Sequence, residues 1–114
     1  MANKYYTGEP IIKFKRISGK DFSDAVINLI QDNHCYKEVL NEKDYGDGMK
    51  SYRLSLWARR MEMNITMIEK FVENKGRVSR FIKKMKKDNH EDCARIMLEG
   101  AYEVVAEAKE LLTA

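Results

Sequence analysis

A chain of 114 residues, 44% apolar and 34% charged, has enough material for one folded domain and is too apolar for a disordered tail. No apolar run approaches the roughly 20 residues that a membrane span needs, and the opening segment MANKYYTGEP lacks the apolar centre of a secretory signal. Two cysteines, Cys35 and Cys93, do not make a disulfide framework and set the expectation of a reducing, cytoplasmic setting.

In chain order, Lys4-Tyr5-Tyr6 and Ile11 to Ile17 flank Thr7-Gly8-Glu9-Pro10, a turn in which Pro10 lacks an N–H and Gly8 permits positive φ. Ile12 and Phe14 alternate with Lys13 and Lys15, so residues 1–18 read as a β-hairpin or arm. Asp21 then looks like an N-cap, and Phe22, Val26, Leu29 and Ile30 give the stripe of a helix over 21–41, with Asn33-His34 as a point of interruption. Glu42 to Lys50, with Gly46, Asp47 and Gly48, is a loop. Helical spacing resumes over 51–62 and 64–75, with Asn64 as the second cap and Asn74-Lys75-Gly76 closing the pair. It continues over 77–87 and, behind Asp88-Asn89, over 90–112. The expected fold is mainly α: one compact bundle of four or five helices with a small N-terminal β-hairpin.

Charge is unevenly placed. The net +3 resolves into +1 for residues 1–74, +7 for 75–87 and −5 for 88–114. Within KGRVSRFIKKMKK, Val78, Phe81, Ile82 and Met85 share one helical face, which turns Lys75, Arg77, Arg80, Lys83, Lys84 and Lys87 towards water. Such a cluster gives salt-dependent affinity for phosphates without reading sequence. The bland alternative is internal neutralisation, with Glu99, Glu103, Glu107 and Glu110 of the last helix as the partners.

The segment Ser55 to Phe71 resembles the helix-turn-helix DNA-binding unit. Ala58 matches the small residue that lets the two helices cross closely, and Trp57, Met61, Met63, Ile68 and Phe71 match the apolar contacts between them. Glu62 stands where that family usually has glycine. The resemblance implies that Asn64, Thr66, Glu69 and Lys70 face the major groove, while Arg59 and Arg60 touch phosphate.

Other stretches carry weaker chemistry. His34-Cys35 and His90-x-x-Cys93 make two pairs of zinc-type ligands, but adjacent His34 and Cys35 do not match the spacing of structural zinc sites, so no metal is assigned. Tyr5, Tyr6, Tyr36 and Phe14, near Lys13, Lys15 and Arg16, would suit stacking on single-stranded nucleic acid, or would fill the seam behind a hairpin. Trp57 is expected at the centre of the core. No Gly-rich phosphate loop, nucleophile motif or carboxylate pair with an obvious shared pocket is present, so no catalytic residue or cofactor is assigned.

Together these readings favour a small intracellular nucleic-acid-binding regulator or accessory protein, with DNA as the leading partner and no membrane role. The rival is a protein-binding adaptor or inhibitor, of the sort that phages and mobile elements encode, meeting an acidic protein surface on a nucleic-acid enzyme. An exposed Ala101, Val105 and Ala108 stripe on the 90–112 helix would add a homodimer seam.

Overall fold

The computed structural model describes residues 17–114, and these form four α-helices. They are α1 (Gly19–Leu40), α2 (Met49–Val72), α3 (Lys75–Lys87) and α4 (Glu91–Thr113). The hairpin expected over 1–18 lies outside the described residues except for Ile17 and Ser18.

Helix α1 starts one turn earlier than the Asp21 cap would place it. Ser18 Oγ accepts a hydrogen bond from the Asp21 N–H (3.1 Å), and the Asp21 carboxylate accepts one from the Ser18 N–H (2.9 Å). This reciprocal capping box satisfies two of the donors that a helix start leaves open. It also holds the Asp21 carboxyl below its ordinary pKa, chiefly through the Ser18 backbone hydrogen bond. The helix then runs without a break through Asn33-His34. Its C-terminus is covered by Lys50 Nζ, which donates to the carbonyls of Leu40 and Glu42.

Gly46 and Gly48 both adopt positive φ (75° and 83°), and Gly48 is the residue from which α2 departs. Helix α2 is continuous for 24 residues. The expected helices 51–62 and 64–75 are therefore one element, and no turn forms at Glu62. The apolar spacing on both sides of Glu62 stays in phase, with Leu54, Ala58, Met61, Ile65, Ile68 and Phe71 all buried on one face. Asn74, expected to end a helix, caps α3 instead, its Oδ1 accepting from the Arg77 N–H (3.1 Å), and Gly76 lies inside that helix. Asp88 closes α3, Asn89 takes positive φ (61°), and His90 rather than Asp88-Asn89 is the cap residue of α4.

Three phenylalanines from three helices meet at one end of the bundle. Phe22 of α1 stacks on Phe71 of α2 (centroids 4.4 Å apart), and Phe81 of α3 meets both edge-on at 5.4 and 5.8 Å. Trp57 is only partly buried, with the Arg60 guanidinium 5.3 Å from its ring, so the core centres on Phe22, Phe71 and Met61 instead. Ala94, Ala101, Val104, Ala108 and Leu112 of α4 are buried within the same molecule. The stripe that would have made a homodimer seam is thus occupied internally.

Gly19, the first residue of α1, lets Phe81 approach. A Cβ there would lie 2.6 Å from Phe81 Cδ1, inside contact distance of a ring already wedged between two others. At Gly100, inside α4, a Cβ meets nothing within 4 Å. The same substitution should therefore act in opposite directions. Gly100→Ala should stabilise by up to about 1 kcal/mol through helix propensity, whereas Gly19→Ala should destabilise by about 1–2 kcal/mol through overpacking. Denaturant midpoints of the two variants check this, and a stabilising Gly19→Ala would contradict the close approach.

Candidate nucleic-acid interface

The residues expected to read DNA fall into two groups with different surroundings. Those on α2 are largely engaged inside the molecule. Arg60 Nε donates to Asp32 Oδ1 (3.2 Å) and Asn64 Nδ2 donates to Asp32 Oδ2 (3.0 Å), so both cross to α1. Thr66 Oγ1 donates back to the Glu62 carbonyl (2.9 Å), and Glu69 accepts from Lys109 Nζ of α4 (2.7 Å). Lys70 lies 4.0 Å from Glu73, the residue that caps its own helix. Only Arg59 is exposed without an ion-pair partner among the described residues. This α2 face ties helices together, and with no turn at Glu62 it does not present a separate reading helix.

Asp32 explains the arrangement. Its side chain is only 1% exposed, and a buried carboxylate needs both oxygens satisfied, which Arg60 and Asn64 do. Neighbouring Asn33, also buried, donates to the Val104 carbonyl of α4 (3.3 Å). Glu62, half-buried in mid-helix, has its carboxyl pushed up by burial.

The α3 group is different. Phe81 is the only fully buried residue of the helix, with Val78, Ile82 and Met85 half-buried beside it. Lys75, Arg80, Lys83, Lys84, Lys86 and Lys87 are all exposed. None of these six enters an ion pair among the described residues. Of the α4 acids, Glu107 pairs with Lys37 of α1 and Glu91 with Arg95 of its own helix. Among the described residues no ion pair joins α3 to Glu99, Glu103, Glu107 or Glu110, so the expected internal pairing of the basic and acidic blocks is not formed.

Two grooves flank this helix. On the α1 side, Arg77, Arg80 and Lys84 join Lys20 over an apolar floor that includes Phe71 and Phe81. On the α4 side, Lys75, Lys83 and Lys86 line a groove shared with Tyr102. Around the helix axis the cations thus cover every direction except the docked face. Lys84, Lys86 and Lys87 sit in the last turn, where the helix dipole favours positive charge.

The remaining sequence candidates are not gathered. His34 pairs with Glu38 on α1 (2.8 Å), Cys35 is partly buried there, and His90 and exposed Cys93 lie at the start of α4. No group of three or more His, Cys, Asp or Glu among the described residues is placed to hold a metal ion. Tyr36 is buried in the core and offers no stacking face, while Tyr5, Tyr6, Phe14, Lys13, Lys15 and Arg16 lie outside the described residues. No helix among the described residues is long and apolar enough to cross a membrane. Compared with protein-family models, curated proteins and solved structures, the chain matches none.

Sequence reasoning missed Asp32 as the hub of the α1–α2 contact and Tyr102 as an exposed ring beside the basic helix. Asp32 carries a testable pH signature. Burial raises its pKa above 3.8, with Arg60 and Asn64 pulling the other way. A carboxyl with a higher pKa folded than unfolded binds its proton more readily in the folded state. Its titration therefore stabilises the fold as pH falls through the raised value towards 3.8, and that contribution is absent at higher pH. Wild type should gain stability relative to Asp32→Asn across that window, read from denaturant midpoints. Parallel pH profiles would contradict the assignment.

Proposed function

We propose that this protein binds nucleic acid through its phosphate backbone, with α3 as the contact element. The observation that carries the reading is the charge of α3. A 13-residue helix carries seven cations, six of them exposed and outside any internal ion pair among the described residues, while the other helices cross-link through theirs. At ~1.5 Å per residue the helix is about 20 Å long, enough to follow several phosphates along one strand. The role suits a small nucleic-acid-associated regulator or accessory protein. Base reading by Asn64, Thr66, Glu69 and Lys70 forms no part of the proposal, because those side chains serve the bundle or their own helix.

A second reading, a protein-binding module, has its own support on α2. Met49, Tyr52, Leu56 and Met63 are exposed and lie within one narrow strip of the helix, opposite its buried face. An adaptor or inhibitor docking on a nucleic-acid enzyme would use that strip, with α3 meeting acidic groups of the partner.

Fluorescence-anisotropy titrations against labelled duplex and single-stranded DNA at several salt concentrations separate the two. Backbone binding through about five phosphates predicts a slope of roughly −4.5 in log K against log salt on duplex. Lys83→Glu/Lys84→Glu should weaken binding to every sequence by tenfold or more and flatten that slope. Lys70→Ala should leave sequence preference unchanged. No binding at low salt would overturn the proposal and leave the α2 strip as the surface to pursue.

A further inference from the structure

The two grooves beside α3 are not equivalent. The one facing α4, about 590 Å³, has a floor of Val72, Val78 and Ile82 and a rim carrying Lys75, Lys83 and Lys86. Tyr102 stands in its wall, and that residue is 63% exposed, so its ring offers an accessible face beside three lysines. The one carboxylate on the groove, Glu91, already accepts a hydrogen bond from Arg95 (3.0 Å), which offsets its charge. The α1-side groove has one cation more but, among the described residues, no exposed aromatic ring.

Aromatic rings interleaved with cations are what an unpaired strand requires. Lysines neutralise the phosphates, while the ring stacks on a base whose face is free. A duplex has already stacked and paired its bases, so it can use the lysines but not the tyrosine. An acidic protein surface would likewise use only the lysines.

We infer that the α3–α4 groove binds single-stranded nucleic acid, with Tyr102 stacking on a base and Lys75, Lys83 and Lys86 holding the flanking phosphates. The inference rests on the backbone-binding reading of α3 and narrows it to a strand type. It also supplies the stacking that Tyr36, buried in the core, cannot.

The test uses the full chain with an end-labelled oligothymidylate of about twelve nucleotides and a duplex of equal length, followed by anisotropy. The single strand should bind more tightly than the duplex. Tyr102→Ala should raise the single-strand Kd about tenfold, in keeping with the stacking of one base, and leave the duplex Kd within about twofold. Tyr102→Phe should keep the wild-type preference, because stacking needs the ring and not the hydroxyl. Exposure of the side chain means that the fold should survive, checked by circular dichroism. Binding that responds to Lys83→Glu but not to Tyr102→Ala would overturn this inference alone. An equal loss on both ligands would also overturn it, because Tyr102 would then be supporting α3 rather than a base. Failure of the wild type to bind either ligand would overturn the α3 reading together with it.

Discussion

The deepest anchor of α3 is one aromatic ring. Of its 13 residues only Phe81 is fully buried, edge-on to the stacked pair Phe22 and Phe71. Truncating such a ring typically costs ~3–5 kcal/mol, against a total stability of about 5–15 kcal/mol for a domain. The approach of Phe81 in turn requires the bare backbone of Gly19, which the Ser18–Asp21 capping box holds at the start of α1. A capped helix end, a missing side chain and three rings together hold a helix whose own charges work against it.

That opposition links packing to function. Seven cations on 13 residues repel one another, and like charges at i, i+3 and i, i+4 oppose helix formation by a few tenths of a kcal/mol per pair. Charges that cross between the other helices are compensated: Asp32 is matched by Arg60 and Asn64, Glu69 by Lys109 and Glu107 by Lys37. These contacts cross-link α1, α2 and α4 and leave α3 out. On the proposed reading, a polyanion laid along α3 would relieve its self-repulsion, and the cost left in the free protein would become affinity in a complex. The Asn74 cap and the three lysines of the last turn, placed favourably to the helix dipole, limit that cost in the meantime.

The periodic features were legible in the sequence. The spacing of Val78, Phe81, Ile82 and Met85 located α3, and the Ala101, Val105 and Ala108 spacing located α4 without deciding whether that stripe faced the bundle or a second copy. Boundaries were harder, because Asn, Asp and Gly serve both ends of a helix. Asn74 with Gly76 reads as a stop but acts as a start, and Asp21 reads as a cap but sits at the third position of a box built on Ser18. The expected turn at Glu62 drew on a resemblance in apolar spacing that one long amphipathic helix satisfies equally well. The polar residues of α2 misled for a tertiary reason: Arg60 and Asn64 look available until buried Asp32 is placed opposite them, and nothing local in the sequence marks Asp32 for burial. Tyr102 escaped notice because its place beside the lysines of α3 exists only once the two helices pack.

The most direct measurement is amide hydrogen exchange on the full chain, resolved by peptide, with and without a saturating single-stranded oligonucleotide. The account predicts slowed exchange across α3 and the turn of α4 around Tyr102, with the outer face of α2 unchanged. Slowing confined to Met49–Met63, or none at all along α3, would contradict the claim that α3 is the surface this fold presents.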